Sequence, residues 1–191
     1  MRARFTLAVA LLAAALTACG APTVTSTEDT EASGTSAQAA SGDTQRKEQK
    51  KKPAEATIGS VITLRGFDDA KIAVKVSRVL PDATADGFFK PDAGKRYYGV
   101  ELVLKNVGDT AYEDSPSNCA LVIDSEGQQY STTIVDLKGG ASFGGTVTLA
   151  PGDVRKGVIG FEVPKNAKIT RLQFALNSGM ADHKGIWHLT K

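Results

Sequence analysis

Tyr97-Tyr98-Gly99-Val100-Glu101-Leu102-Val103-Leu104-Lys105-Asn106 is the stretch whose reading decides the fold. Tyr98, Val100, Leu102 and Leu104 recur at every second position, with Tyr97, Glu101, Val103 and Lys105 between them. A period of two is that of a β-strand with one face in a core, whereas a helix would space its apolar residues by three and four. The run stops at Asn106-Val107-Gly108-Asp109, a composition that favours a turn.

The same pattern spreads outward. Ile72, Val74 and Val76 share one face of a strand over residues 71–78, with Lys75 and Ser77 on the other. Cys119, Leu121 and Ile123 alternate before Asp124-Ser125-Glu126-Gly127, which reads as a hairpin turn into residues 128–133. Val147 and Leu149 make a short strand ended by Pro151-Gly152, followed by strands over 158–163, 171–176 and 186–189, the last carrying the only tryptophan. With 61–64 at the front, this predicts about eight strands in residues 57–191 and no amphipathic helix beyond a turn or two. The fold class is therefore all-β, an antiparallel sandwich. Its expected core is Ile72, Val74, Val76, Tyr98, Val100, Leu102, Leu104, Leu121, Ile123, Val147, Leu149, Ile159, Phe161, Leu172, Phe174 and Trp187.

Residues 1–56 have a different character. Arg2 and Arg4 precede an uncharged Ala/Leu-rich run over 5–16, the length of a signal peptide and too short to span a bilayer, which takes about 20 apolar residues. Leu16-Thr17-Ala18-Cys19 follows, and it resembles the lipobox of bacterial lipoprotein signal peptides. That resemblance implies cleavage after residue 18, acylation of Cys19, and anchoring on the outer side of the cytoplasmic membrane. Residues 19–56 hold Val24 as their only large aliphatic side chain and no aromatic, so they cannot offset ordering entropy and are expected to be a disordered linker. Glu28, Asp29 and Glu31 lie toward its start, and Arg46, Lys47, Lys50, Lys51 and Lys52 lie next to the domain. The basic cluster is either a solvated tether or a contact for anionic headgroups or acidic wall polymers.

Charge excludes little else. The chain has 23 Lys and Arg against 21 Asp and Glu, and losing Arg2 and Arg4 brings the two into balance, so nothing points to nucleic acid. With Cys19 acylated, Cys119 is the one remaining thiol, no internal disulfide can form, and Cys119 is expected as a small apolar residue within a strand.

Ile58-Gly59-Ser60-Val61, residues 98–106, residues 121–127, Leu149-Ala150-Pro151-Gly152 and Gly160-Phe161-Glu162-Val163-Pro164 follow in an order that resembles a family of bacterial lipoprotein domains of unknown function. Those domains are similar to the telokin-like, immunoprotective extracellular antigen superfamily. The resemblance covers residues 57–178. It implies an immunoglobulin-like sandwich serving as an adhesive or ligand-binding scaffold, without an agreed activity.

The side chains that carry chemistry are sparse. His183 and His188 are the only histidines; Ser142 and Ser178 lie in no nucleophile-elbow sequence; Asp68-Asp69 and Glu113-Asp114 are adjacent loop carboxylates. Gly139-Gly140 and Gly144-Gly145 lack the strand-to-helix setting of a phosphate loop. A non-enzymatic binding module without cofactor is expected. Its candidate contacts for an envelope protein or ligand are Phe88 and Phe89, between Asp86-Gly87 and Lys90-Pro91-Asp92, and Phe143 in the glycine-rich stretch 138–145, which is expected to be mobile. Adjacent aromatics cannot both enter a core easily, so either one is exposed or the loop folds back as a lid; Phe143 is either a contact or a plug at the core edge. The rival is a small exported metal-binding protein. It would hold copper on Met180, His183 and His188, or calcium on Asp109, Glu113 and Asp114 or on Asp124 and Glu126.

Overall fold

Strand alternation becomes pairing in the structure, a computed structural model that describes residues 52–190. The signal peptide, Cys19 and nearly all of the linker lie outside the described residues. Within them run β1 (Ala54–Thr57), β2 (Val61–Arg65), β3 (Lys71–Ala83), β4 (Lys95–Asn106), β5 (Tyr112–Asp114), β6 (Ala120–Asp124), β7 (Gln129–Ser131), β8 (Val147–Leu149), β9 (Val154–Pro164), β10 (Ile169–Ala175) and β11 (Lys184–His188), with a 3-10 turn at Pro116–Cys119. They form a five-stranded sheet in the order β1-β11-β10-β6-β7, a four-stranded sheet in the order β2-β3-β4-β9, and a small β5-β8 pair. The result is an all-β sandwich, as alternation predicts, and of the kind that the resemblance implies.

The stretch 97–106 forms most of β4, which lies between β3 and β9. Val100 sits opposite Val79 on one side and Ile159 on the other, and Leu104 opposite Val74 and Arg155. Its apolar face meets Ile72, Val74 and Val76 of β3, Ile159, Phe161 and Val163 of β9, and Leu172, Phe174 and Trp187 of the opposing sheet in one buried cluster. Trp187 is fully buried, and its indole N–H donates to the Ser60 carbonyl at 3.2 Å, so the polar edge of the largest core side chain is satisfied.

Three expectations change. There are eleven strands among the described residues, not about eight; the two with no counterpart in the pattern are β1 and β5, too short to show alternation. β1 also falls where composition places the linker, and it pairs with β11 in parallel, the one parallel ladder in an otherwise antiparallel pattern. The third change is the phase of β6. Cys119 ends the 3-10 turn instead of beginning a strand, so alternation starts at Ala120; Val122 enters the central cluster while Leu121 and Ile123 take the opposite face, where Ile123 is still buried as expected. A one-residue slip exchanges every side chain between faces.

Candidate recognition surface

Gly99 of β4 and Gly160 of β9 face each other on the outer side of the four-stranded sheet. A Cβ on Gly160 would come within 2.6 Å of Val135 Cγ1, and one on Gly99 within 3.0 Å of Leu137 Cδ1. The missing side chains make a trough, and residues 132–145 are laid in it as a strap. The strap's two ends run along β9: Thr133 N–H donates to the Gly160 carbonyl and Val158 N–H to the Ala141 carbonyl, both at 2.9 Å. Its middle is stitched to the start of the β3–β4 connection by Asp86 N–H to the Asp136 carbonyl and Lys138 N–H to the Thr84 carbonyl, both at 2.8 Å. Ala85, Tyr97, Leu137 and Val158 form a second, smaller apolar cluster beneath it. Arg78 ties the strap to the sheet by donating to the Gly139 carbonyl and, at 3.0 Å, to Glu101. The Arg78 guanidinium and the Ser77 hydroxyl hold the nearly buried Glu101 carboxyl below the usual carboxylate range.

Stretch 138–145 is therefore docked and not the free loop its glycines suggest. Phe143 is half-buried and packs against the main core, its ring atoms 2.7–2.9 Å from where a Cβ on Gly157 would stand. It plugs the sheet edge, as the second of its two expected placements has it.

Phe88 and Phe89 behave oppositely. Phe88 is fully exposed, at 102% of its reference surface, and Phe89 is 69% exposed. On the strap, Ile134 is also 102% exposed. Phe89 and Ile134 line a cleft of about 460 Å³ whose further walls include Ser115, Ser117 and Asn118, with Val158 and Gly160 from β9. The arrangement is an apolar rim over hydroxyl and amide groups, the combination that binds a ligand or side chain without covalent chemistry. Ser142, also in the lining, donates to Asp136 Oδ1 at 2.7 Å, and no imidazole lines the cleft. Ile134 has no signal in the sequence pattern. It looks like a continuation of the strand before it, but β7 ends at Ser131.

The metal candidates do not converge. His183 Nδ1 accepts the Arg65 N–H at 3.2 Å, while His188 Nε2 lies 3.2 Å from Glu55 Oε2. One precedes β11 and the other ends it, so at about 3.3 Å per residue their Cα atoms are roughly 17 Å apart, on opposite faces, beyond the reach of one ion. Met180 is in the preceding turn, 69% exposed.

The calcium candidates are already occupied by protein donors. Asp124 accepts from the N–H groups of Glu126 and Gln128, each at 2.9 Å, and from the Tyr130 hydroxyl at 2.8 Å, which builds the β6–β7 hairpin. Asp114 accepts from Tyr112 O–H at 2.5 Å, Cys119 S–H at 2.9 Å, Ser115 N–H at 2.8 Å, and Ser178 N–H and O–H at 3.0 and 2.8 Å. Burial raises its pKa, but the thiol, phenol and serine donors outweigh this and hold the carboxyl below its ordinary value. Burial and the facing carboxylate push the Cys119 thiol far up, so it stays protonated. Asp109 and Glu113 are exposed and point to no shared site with it.

A family model described as a domain of unknown function, DUF4352, matches residues 65–184. The secreted protein MPT63 of Mycobacterium tuberculosis is similar in structure, with a TM-score of 0.52 and 18% identity over 71% of this chain and 97% of its own. The yjhA protein of Bacillus subtilis has a TM-score of 0.50 and 15% identity over 71% of this chain and 99% of its own. A candidate lipoprotein of the same species, ycdA, has a TM-score of 0.50 and 13% identity over 66% of this chain and 37% of its own. At these identities the likeness is one of fold. No curated protein matches the chain.

Proposed function

We propose, on the premise that this chain belongs to the DUF4352 family of domains of unknown function, that it is an exported lipoprotein whose immunoglobulin-like domain recognises a partner without covalent chemistry outside the cytoplasmic membrane. Cys19 in its lipobox supports the anchor, and a secreted protein and a candidate lipoprotein among the structural neighbours support export. The observation that carries the recognition reading is the full exposure of Phe88 beside Phe89 and Ile134 at the rim of the cleft. Covering one such side chain is worth about 1.5–3 kcal/mol, so three together supply a specific but reversible contact. The partner is a protein or ligand of the cell envelope. Ser142 pairs with Asp136 in the cleft but no imidazole lines it, and the reading is one of binding.

Photocrosslinking on intact cells tests it, with the reactive group at position 88 and a control at Asp69. That turn precedes β3, whose 13 residues separate it from the Phe88 loop by about 40 Å. A discrete adduct from position 88 alone supports the reading; adducts of equal yield from both positions, or none from either, overturn it.

A further inference from the structure

The pairing register sets Val61, Lys75, Val103 and Lys156 side by side across the four-stranded sheet, then Thr63, Ala73, Lys105 and Val154, then Arg65 and Lys71. These positions alternate with Ile62, Leu64, Ile72, Val74, Leu102 and Leu104, which are buried in the core, so they all lie on the outer face. Five cations stand there, with no carboxylate at any of these positions. Among the described residues none of the five takes part in an ion pair. Glu101, in the next row, is 7% exposed and held by Arg78 at the margin of the strap. Asp68, Asp69, Asp109 and Asp153 are confined to turns at the far rim, where Asp153 accepts the Ala150 N–H and lies 3.9 Å from Arg155.

The domain as a whole gives no reason for such a face. Sixteen of the 21 Asp and Glu and sixteen of the 23 Lys and Arg fall within residues 52–190, so it is segregation that creates the charge. The outer face of the other sheet is mixed, with Glu55, His188, Arg171, Gln173 and Gln129. Val61 and Val154 are 58% and 48% exposed among the cations, small apolar groups on a surface too strongly charged to be a core. The chain also arrives here. Arg46, Lys47, Lys50, Lys51 and Lys52 precede β1, and a single turn at Gly59, with φ of 89°, leads from β1 into β2, the edge strand of this face.

We propose that the outer face of the four-stranded sheet is a docking surface for an anionic phospholipid bilayer. Arg65, Lys71, Lys75, Lys105 and Lys156 meet the headgroup phosphates, while Val61 and Val154 press into the interface between them. The face is separate from the Phe88 rim and rests on the lipoprotein reading only for its nearness to a membrane. Docking would hold the sheet flat on the bilayer and leave the cleft end of the domain to the partner.

The test uses residues 19–191 carrying Cys19→Ser, so that no acyl chain contributes, with vesicles of equimolar phosphatidylglycerol and phosphatidylcholine against phosphatidylcholine alone. Binding to the anionic vesicles only, weakening as salt rises, is expected. Each lysine near an anionic surface contributes about 1 kcal/mol, so Lys75→Gln, Lys105→Gln and Lys156→Gln together should weaken binding about a hundredfold with an unchanged unfolding midpoint. A second variant with Lys47, Lys50, Lys51 and Lys52 changed to Gln should keep its selectivity for anionic vesicles. Equal binding by the triple variant, loss of all selectivity in the tether variant, equal binding to both vesicles, or binding to soluble poly(glycerol phosphate) without vesicle binding would each overturn the proposal. Phe88→Ser with Phe89→Ser should leave vesicle binding unchanged, which separates this failure from failure of the recognition reading.

Discussion

Asp114→Asn perturbs the buried junction where β5, the 3-10 turn and the β10–β11 turn meet, and its cost can be worked from the donors. The carboxylate accepts five: Tyr112 O–H, Cys119 S–H, Ser115 N–H and both donors of Ser178. Asn keeps one acceptor oxygen and turns an N–H₂ toward the donors that Oδ2 now takes. Hydrogen bonds to a charged group contribute about 1.5–3 kcal/mol each, and stranding a buried donor costs about 1–3 kcal/mol. The Ser178 N–H keeps Oδ1 at 3.1 Å, whereas the Tyr112 and Cys119 hydrogens face only Oδ2 and must swing away, so a net loss of about 2–4 kcal/mol follows, a large share of a total stability of about 5–15 kcal/mol. Urea unfolding at neutral pH should show this as a lower midpoint at constant slope. Cys119→Ala, which removes one donor and leaves the acceptor satisfied by the rest, should cost only about 1–2 kcal/mol. The pH dependence follows from the depressed folded-state pKa of Asp114. The gap between parent and Asp114→Asn should be full above the unfolded carboxyl pKa of about 3.9 and close as pH falls through the lower folded value. A cost under about 1 kcal/mol, or one no larger than that of Cys119→Ala, would refute the reasoning.

Other outcomes follow from burial. Phe88→Ser and Phe89→Ser should shift stability by no more than about 0.5 kcal/mol each in urea titrations, because both rings are exposed. Gly157→Ala drives a methyl into the Phe143 ring and should cost about 1–3 kcal/mol while making residues 132–145 more susceptible to limited proteolysis. Cys119, buried and with its thiol pushed far up, should react with a disulfide reagent at pH 8 at least tenfold more slowly in the native protein than in urea.

The long strands were legible because alternation had room to repeat. β3, β4 and β9 have 13, 12 and 11 residues, enough for a period of two to stand out from composition. β1 has four, Ala54-Glu55-Ala56-Thr57, and owes its strand to a ladder with the far end of the chain, a non-local cause that no window along the sequence contains. The adjacency of Phe88 and Phe89 left exposure and a folded-back lid both open, and the structure exposes both rings. The docking of the stretch around Phe143 was not legible, since its glycines suggested freedom; the better signal lay elsewhere, in Gly99, Gly157 and Gly160, isolated within otherwise apolar strands where a glycine marks the close approach of another segment. The histidine pair misled because five residues are near neighbours in a loop but about 17 Å apart in a strand.

The parallel ladder between β1 and β11 has a consequence for how the protein is made. Glu55 and His188 meet across 133 residues, and β11 lies between β1 and β10, so the five-stranded sheet cannot close until Lys184–His188 has emerged. A product ending before Lys184 would lack Trp187 and leave both β1 and the β10 edge without their partner. Loss of residues 184–188 would thus expose two unpaired sheet edges, the feature by which open sheets become templates for other chains.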